Sequence, residues 1–488
     1  MLLDQRVRVL EGVALAVVLL VLLAWPLCTP PIGHHGEARE GLVVQDIVAN
    51  GHWILPRRNG DLPSKPPLFH WAAALATLVF GGSDASLRLP SAVAAVVVAL
   101  TTYALGVWIG GRQMGWLASG IVIGMAPFLS SAVEARVDMV FAAAVTVALA
   151  GFYLWDTRRN GWGRRLCYAG VAAAVLAKGP AGAVIPALVI AVFLVVDGRP
   201  AALRALWHTP LVLVVVIVAG GWYGLAAVNG GREFLHLQLV HENFERVVGG
   251  AAFHHGRHHH AARLPLALLG GFLPWSLAIL WAGVARLRGT QLDAAGRFLH
   301  VWWFVILVLF SAAAGQRPVY LLPAAPAVAL LAARLISELL ADDDGATSGV
   351  ARLTPPARLR RAFPDRPRLA LLAVAIATLD LGVLLVLQTT RIQRAGKGSL
   401  AAFGETVRQN VPSDTPLLAA DTLGKQETLI LAYRSARTIP RASATRPPVA
   451  YYLVPAAESA ARVRAGATLV AESDRHRGPN VALLRAGS

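Results

Sequence analysis

The sequence contains few charged residues and only two cysteines. Charged residues make up 15% of its 488 residues, whereas hydrophobic residues make up 56%. Soluble proteins average about 25% charged residues, so this composition indicates an integral membrane protein. The cysteines, Cys28 and Cys167, exclude a disulfide scaffold and a cysteine-based metal cluster. Because both lie in or beside apolar segments, we interpret them as packing residues.

Acidic residues are also scarce relative to basic ones. The chain has 28 Asp and Glu against 45 Lys and Arg, which gives a formal net charge of +17. Nucleic-acid binding could explain such an excess, but the arginines stand in short loops between apolar runs. That distribution is typical of the cytoplasmic loops of membrane proteins. We therefore expect membrane lipids as partners and no nucleic acid.

Apolar stretches of about 20 residues predict eleven membrane spans. They lie near 11–27, 86–109, 114–131, 138–155, 165–177, 180–196, 208–227, 264–285, 298–314, 319–337 and 369–388. The first span follows Arg6 and Arg8 as a signal peptide would, but no small-residue cleavage site follows it, so we expect it to be uncleaved. With the N-terminus inside, every arginine-dense loop falls on one side of the membrane. The segments that remain outside are 28–85, 129–137, 228–263 and the tail from 389.

The tail alternates short apolar runs with helix-like stretches. The apolar runs are Pro416–Ala420, Val449–Pro455, Thr468–Glu472 and Val481–Leu484, and the helix-like stretches are Lys425–Arg434 and Ala457–Ala465. This alternation predicts a small α/β domain. We therefore expect a membrane domain over residues 1–388 and an extracytoplasmic domain over 389–488.

The first outer loop, residues 28–85, is rich in polar and ionisable residues. From Ala38 to Asn50 its apolar residues recur at helical spacing, at Leu42, Val43, Ile47 and Val48. This spacing predicts a short amphipathic helix on the membrane surface, and Gly51 is expected to end it. Glu37 stands near the helix N-terminus, where a carboxylate is held ionised. It is either a functional group or a helix-capping charge.

Lys65 lies farther along the same loop, before Pro66, Pro67 and an apolar run. Proline is tolerated in the first turn of a helix, so the free backbone amides of a new helix would begin beside this lysine. Such an arrangement suits an anionic phosphate. The alternative is a lysine that extends its charge to the level of the lipid headgroups.

Short motifs in the outer segments resemble one group of membrane enzymes in content and order. In chain order they are Gly36-Glu37-Ala38-Arg39, Asn50-Gly51-His52-Trp53, Pro56-Arg57, Lys65-Pro66-Pro67, Arg136-Val137-Asp138-Met139, Lys178-Gly179-Pro180, His241-Glu242-Asn243-Phe244-Glu245-Arg246, Leu273-Pro274-Trp275 and Arg317-Pro318-Val319-Tyr320. Each motif alone is weakly specific, but the ordered set, over roughly residues 10–337, resembles the GT-C glycosyltransferase superfamily. The similarity is to its protein O-mannosyltransferase and lipid A aminoarabinose transferase group.

The resemblance implies a polytopic α-helical GT-C fold and a membrane glycosyltransferase. Such an enzyme moves a sugar from a polyprenyl-phosphate donor to a lipid, glycan or protein hydroxyl, with inversion at the anomeric carbon. The reaction needs a base for the acceptor and cations for the departing phosphate. We expect Glu37 to be the base and Asp138 to be a second catalytic carboxylate. The candidate substrate-binding residues are Arg39, Lys65, Lys178, Arg246, His255, Arg317 and Tyr320.

Two departures from the group's pattern affect these expectations. The first acidic position of the motif, usually the aspartate base, is Gly36 here, so Glu37 is left to supply the carboxylate. Residues that can hold zinc in aminoarabinose transferases are replaced by Ser64 and Asn243. Five histidines between 254 and 260 could bind a metal, but neighbouring side chains of one loop rarely form a closed site. We therefore expect no metal and no other cofactor.

Alternative interpretations of these candidate site residues are less specific. Asp138 and Arg136 could form a structural pair, Lys178 and Arg317 could mark the membrane boundary, and Tyr320 could belong to an aromatic belt. A transporter would carry ionisable groups within its spans, which are mostly uncharged here. A non-catalytic sensor would leave the outer-loop acids unexplained, whereas a polyprenyl-linked glycan ligase or polymerase shares the same phosphate chemistry. The resemblance implies a bacterial inner membrane with the site on the periplasmic face.

Overall fold

The computed structural model consists of a large helical part followed by a small α/β domain. It describes residues 2–159, 161–207, 209–245, 262–287, 291–340, 399–442, 450–474 and 480–486, with a few single residues between 378 and 392. The helices of the first part are α1 (Leu2–Cys28), α2 (His35–Asn50), α3 (Leu68–Phe80), α4 (Asp84–Gly124), α5 (Ala126–Ala132), α6 (Val137–Arg158), α7 (Gly161–Lys178), α8 (Ala181–Val196), α9 (Leu203–Trp207), α10 (Leu211–Val215), α11 (Gly221–Leu235), α12 (Arg263–Gly271), α13 (Leu277–Leu287), α14 (Ala294–Ala312) and α15 (Ala325–Leu340). Two π-helical stretches, Val216–Gly220 and His236–Glu245, continue α10 and α11, and short 3₁₀ turns occupy Pro200–Ala202 and Pro318–Ala324.

Six helical stretches among the described residues are long and apolar enough to cross a membrane. They are Val9–Cys28, Asp84–Gly124, Val137–Arg158, Leu211–Glu242, Ala294–Ala312 and Pro318–Glu338. Ten of the eleven expected segments overlap described helices, although 264–285 is divided between α12 and α13. The segment 369–388 lies almost wholly outside the described residues. The polytopic helical architecture is confirmed, while the count of eleven stays a prediction.

Helix α4 is a hairpin of two helices. A straight helix of 41 residues would be about 60 Å long, twice the thickness of a bilayer core. At Gly110 and Gly111 the backbone leaves helical conformation, and Gly111 adopts a φ of 87°. A Cβ added at Gly106 would lie 2.8 Å from the Cα of Gly115, so the two halves make a contact that only glycine permits. The hairpin accounts for the two separate spans expected at 86–109 and 114–131.

Small residues also allow α6 and α7 to pack backbone to backbone. A Cβ at Gly151 would lie 2.6 Å from the nitrogen of Cys167, and one at Gly170 would lie 2.6 Å from the nitrogen of Ala148. Close approach of this kind is common between membrane helices, where lipid provides no hydrophobic drive for association. It fixes the ends of α6 and α7, where Asp138 and Lys178 lie.

The C-terminal part is the small α/β domain expected from the tail. Its strands are β1 (Leu417–Ala419), β2 (Tyr451–Pro455), β3 (Thr468–Glu472) and β4 (Val481–Arg485), and its helices are α16 (Leu400–Asn410), α17 (Lys425–Ser435) and α18 (Ala456–Arg464). The sheet order is β1-β2-β4-β3, with β1 parallel to β2 and β4 antiparallel to both its neighbours. The strands match the expected apolar runs closely, while the boundary at residue 389 stays a prediction.

Helix α2 forms where the sequence predicts it and Gly51 ends it with a φ of 70°. Leu42, Val43 and Ile47 are buried. Their partners lie in α3 and in the C-terminal domain, which share one apolar cluster with α2. A Cβ at Gly41 would lie 2.4 Å from the Tyr433 ring, so α17 packs closely on α2. The amphipathic helix therefore buries its apolar face against protein.

Asp84, at the start of α4, ties the C-terminal domain to the helical part. Its Oδ1 accepts from the hydroxyl of Tyr433 at 2.9 Å, and its Oδ2 accepts from Arg434 at 3.0 Å and from the nitrogen of Ile32 at 2.9 Å. Burial, followed by the Asp84 carboxylate, raises the pKa of Tyr433 well above its usual value. The tyrosine therefore stays a hydrogen-bond donor at any physiological pH.

Replacing this carboxylate is expected to loosen the domain. Asp84→Asn removes the charge that Arg434 and Tyr433 contact, so we expect a loss of about 2 kcal/mol of stability and faster proteolytic release of the C-terminal domain. Thermal melting in detergent and limited proteolysis measure both effects. Asp414→Asn is the control, because Asp414 is exposed and contacts its neighbour Thr415. Equal behaviour of the two variants would contradict the proposed tether.

Candidate active site

Two adjoining cavities open where α2 meets the loops that join the helices. The smaller has a volume of about 480 Å³ and is lined by His34, His35, Gly36, Arg39, Arg136, Arg263, Arg317, Pro318, Val319 and Gln426. The larger has a volume of about 850 Å³ and is lined by His35, Arg39, Arg57, Arg58, Gly60, Asp61, Leu62, Ser64, Glu233, His236, Leu237, His241, Glu242, Lys425, Gln426 and Leu429. His35, Arg39 and Gln426 line both, so they mark the junction of the two cavities.

The smaller cavity is strongly cationic. Four arginines from four separate elements line it, and its described lining contains no acidic residue. The effect on His35 shows the strength of this potential. Burial, followed by the nearby positive charges of His34, Arg39, Arg136 and Arg317, lowers the pKa of His35 from 6.5 to about 4. A cavity with this lining favours an anion such as a phosphate group.

Asp138 lies in the first turn of α6 and is buried. Lys178, at the end of α7, donates to its Oδ1 at 2.6 Å, and the guanidinium of Arg136 lies 3.5 Å from its Oδ2. The Lys178 ammonium also lies 4.5 Å from the centre of the Tyr320 ring. Three residues singled out from distant motifs, Asp138, Lys178 and Tyr320, are therefore brought together here.

Glu37 is buried and held by an ion pair that the sequence did not indicate. Arg88 of α4 donates to both carboxylate oxygens, at 2.8 and 3.0 Å, and the nitrogen of Ala135 donates to Oε1 at 2.9 Å. Arg88 also donates to the carbonyls of Leu27 and Pro30. Glu37 and Asp138 are linked through the turn at Ala135 and Arg136, as expected for groups of one site. The role of Glu37 as catalytic base stays a prediction.

Arg39 lines both cavities and is held by Glu40. The second oxygen of Glu40 contacts Nε2 of His70 at 2.8 Å. Burial opposes ionisation of Glu40, but Arg39 and His70 outweigh it and hold its pKa well below the usual range. Sequence reasoning missed Glu40 and His70. A signal was available, because residue 40 shares the buried helical face of residues 43, 44 and 47, where a charge requires a partner.

Lys65 stands just before α3, as expected for a lysine beside a helix N-terminus. Its ammonium donates to Glu242 at 2.7 Å, which joins the first outer loop to the π-helical stretch His236–Glu245. The larger cavity beside this pair is mixed in charge. Its lining carries the acids Asp61, Glu233 and Glu242 and the cations Arg39, Arg57, Arg58 and Lys425.

Two expected binding residues, Arg246 and His255, lie outside the described residues, as does the histidine run between 254 and 260. Within the described ranges no group of three His, Cys, Asp or Glu side chains is arranged to hold a metal ion. Ser64, which replaces a potential zinc ligand of the resembling group, lines the larger cavity. The absence of a metal from the protein therefore stays a prediction.

Two further residues of the cavities lie in parts of the chain that no sequence motif indicated. Arg263 begins α12, and Gln426 lies in the first turn of α17 in the C-terminal domain. Gln426 reaches the site because α17 packs on α2. Local sequence patterns do not predict that one helix packs on another that is distant in the chain. The C-terminal domain is thus part of the cavity wall.

Comparisons with known proteins show which families this chain resembles. Residues 64–223 match the family described as dolichyl-phosphate-mannose-protein mannosyltransferase. An uncharacterised protein of Aquifex aeolicus is 27% identical over 60% of this chain and 57% of its own length. An undecaprenyl phosphate-alpha-4-amino-4-deoxy-L-arabinose arabinosyl transferase of Shewanella sediminis is 27% identical over 62% of this chain and 55% of its own length. The chain thus spans just over half the length of these relatives.

Solved structures show the same fold over nearly the whole chain. ArnT from Cupriavidus metallidurans bound to undecaprenyl phosphate superposes with a TM-score of 0.78 at 19% identity, covering 98% of this chain and 99% of that one. The oligosaccharyltransferase of Archaeoglobus fulgidus gives a TM-score of 0.56 at 16% identity, over 89% of this chain and 64% of the other.

The chain is therefore a polytopic membrane protein with the fold of the GT-C glycosyltransferases and a small C-terminal α/β domain. Within that superfamily it resembles the group of ArnT and the protein mannosyltransferases, and the resemblance drawn from the motifs is confirmed.

The buried pair of Glu37 and Arg88 is expected to be essential for stability. Glu37→Gln leaves the guanidinium of Arg88 buried without its counter-charge, so we expect a loss of about 3–5 kcal/mol. The double variant Glu37→Gln/Arg88→Met is expected to lose less than the sum of the single variants, because the pair is coupled. Thermal melting of the three proteins measures this.

Glu405→Gln serves as the control for that comparison. Glu405 pairs with Arg408 on the exposed surface of α16, where such pairs contribute about 0–1 kcal/mol. If Glu37→Gln melted at the same temperature as Glu405→Gln, Glu37 would not have the structural role that its contacts indicate.

Proposed function

We propose that this chain is a membrane glycosyltransferase that transfers a sugar from a polyprenyl-phosphate donor to a hydroxyl of a lipid, glycan or protein acceptor. The observation that carries the proposal is the smaller cavity, whose four arginines come from separate elements without an acid among its described lining. The arabinosyl transferase relatives and the fold shared with an ArnT bound to undecaprenyl phosphate support the same reaction class.

In this proposal the smaller cavity holds the donor phosphate. The bond between the anomeric carbon and the phosphate oxygen breaks as the acceptor oxygen attacks, and the phosphate departs as a dianion. Arg39, Arg136 and Arg317 stabilise the departing charge by charge-assisted hydrogen bonds. No general acid is required, because the cations already stabilise the leaving group. A single displacement of this kind inverts the configuration at the anomeric carbon.

Lys178 and Tyr320 form a second group of the proposed site. Lys178 holds Asp138 and lies over the Tyr320 ring, beside the turn that carries Arg136. Asp138 is proposed to orient the cations and to bind the acceptor. The larger cavity, which is lined by charges of both signs and partly by the first outer loop, is proposed to receive the acceptor.

The proposed location is the bacterial inner membrane, with both cavities on the periplasmic side. This orientation is supported by the sequence, because the arginine-dense loops all fall on the other side when the N-terminus is inside. Which group accepts the proton of the acceptor hydroxyl is a separate question, since Glu37 is held by Arg88.

Binding of the carrier tests the phosphate site. Arg136→Ala and Arg317→Ala each remove a charge from the smaller cavity, so we expect each to weaken the binding of undecaprenyl phosphate about 10- to 100-fold. Arg408→Ala, on the exposed face of α16, is the control and should bind as the wild type does. Titration of the detergent-purified full chain with undecaprenyl phosphate measures the affinities. Unchanged binding in both cavity variants would contradict the proposal that the donor phosphate binds in the smaller cavity.

Transfer is tested with the full chain in lipid nanodiscs. We expect release of undecaprenyl phosphate from at least one undecaprenyl phosphosugar, beginning with undecaprenyl phosphate-α-4-amino-4-deoxy-L-arabinose, when lipid A, a peptide or an oligosaccharide is supplied as acceptor. Nuclear magnetic resonance of the product should show the opposite anomer to the donor. Retention of configuration would exclude a single displacement, and growth of the glycan by repeated additions would identify a polymerase.

A further inference from the structure

The proposed transfer requires a group that takes the proton from the acceptor hydroxyl. Three buried carboxylates that are next to lining residues of the smaller cavity, or pair with the residues around it, are already engaged by cations. Each carboxylate oxygen of Glu37 accepts a hydrogen bond from Arg88, and one of them also accepts from the nitrogen of Ala135. Glu40 is held by Arg39 and His70, and Asp138 is held by Lys178. Each of these carboxylates would have to break a buried ion pair in order to accept a proton, which makes it a poor base.

His35 stands in a different situation. It lies in the first turn of α2, is half-buried and lines both cavities. Its ring is in contact with the ring of His34, at a centroid distance of 4.4 Å, and it forms no hydrogen bond with any residue that the structure describes. Its nitrogens are therefore available to a hydroxyl placed at the junction of the cavities.

The ring nitrogens of His34 are less available to a hydroxyl than those of His35. Its Nδ1 accepts from the nitrogen of Gly36 at 3.1 Å and so caps the N-terminus of α2. Its ring also fills the space beside position 36, since a Cβ added to Gly36 would lie 3.0 Å from that Nδ1 and 3.9 Å from Cζ of Arg136. Both imidazoles thus line the cationic cavity beside Gly36, a position that carries no carboxylate side chain.

We propose that His35 is the catalytic base of the transfer, an assignment that rests on the proposed glycosyltransferase function. The acceptor hydroxyl lies in the larger cavity and the donor phosphate in the smaller one. A neutral ring nitrogen of His35 takes the hydroxyl proton while the acceptor oxygen forms its bond to the anomeric carbon. The electrons of the broken bond between that carbon and the phosphate oxygen leave with the polyprenyl phosphate.

The products balance in charge and protons. One proton moves from the acceptor to His35, which becomes an imidazolium, and the phosphate diester of the donor becomes a phosphate monoester. The monoester carries one more negative charge than the diester and has a pKa near 6, so it can take the proton from the imidazolium or release it to water. No oxidant, metal or further reactant is needed.

The charges around His35 match this role. The smaller cavity, which His35 lines, also carries His34, Arg39, Arg136, Arg263 and Arg317. The larger cavity, which His35 lines too, carries Arg57, Arg58, Asp61, Glu233, Glu242 and Lys425, together with His236 and His241. With a pKa of about 4, His35 is neutral at pH 7 and can accept a proton. A bound phosphate offsets the cations and raises that pKa, so the base becomes stronger once the donor is in place.

Replacement of His35 with chemical rescue tests the assignment. We expect His35→Ala and His35→Gln to lower kcat about 100- to 10,000-fold, the range for a lost general base, while the affinity for undecaprenyl phosphate changes little. Added imidazole should restore transfer by His35→Ala in proportion to its unprotonated fraction. In the wild type, kcat should rise with pH through one ionisation that both variants lack.

His52→Ala is the matched control. His52 lies in the same outer loop, but it is exposed and contacts Asp46, and neither of these two residues lines a cavity. We expect its transfer rate and pH profile to equal those of the wild type. Thermal melting of all variants shows whether they are folded, and folding of the His35 variants is expected because that ring forms no hydrogen bond with described residues.

The outcomes separate this assignment from the proposed function. A wild-type chain that transfers sugar, together with a His35→Ala variant that does so at a similar rate, would overturn the assignment of the base and leave the glycosyltransferase function intact. Loss of activity without rescue by imidazole and with an unchanged pH profile would also overturn it. A wild-type chain that transfers no sugar from any tested donor would overturn both proposals.

Discussion

The ion pair between Glu37 and Arg88 is the interaction on which the geometry of the site depends. A buried guanidinium must have its counter-charge and its hydrogen-bond acceptors within reach. Arg88 finds them in the Glu37 carboxylate and in the carbonyls of Leu27 and Pro30, while Ala135 donates to the same carboxylate. The end of α1, the start of α2, the first turns of α4 and the turn before α6 are thereby held together.

That framework gives each charged residue near the cavities a distinct role. Acids that are held by cations, such as Glu40 and Asp138, keep Arg39 and Lys178 in place. The arginines that line the smaller cavity create a positive potential there, and this potential adds to burial in lowering the pKa of His35. A phosphate would relieve this repulsion, which is why the electrostatics favour an anionic carrier over a neutral sugar.

The C-terminal domain contributes to the walls of both cavities. Helix α17 packs on α2 through the contact of Tyr433 with Gly41. Asp84 holds α17 in position by accepting hydrogen bonds from Tyr433 and Arg434. The first turn of α17 then places Gln426 at the junction of the two cavities. The stability of domain docking and the shape of the site are therefore coupled.

The sequence by itself determined the elements of this protein. Hydrophobic length and helical or strand periodicity are local properties, so they located most helices of the membrane part, α2 with its end at Gly51, and the four strands of the tail. The ordered motifs also indicated the resemblance that the comparisons confirm. Only the tertiary structure decided which charges pair, namely Glu37 with Arg88 and Lys178 with Asp138, and that Gln426 lines the same cavity as His35. These residues are far apart in the chain. Which acid a cation pairs with depends on burial and distance, and no local sequence pattern contains that information.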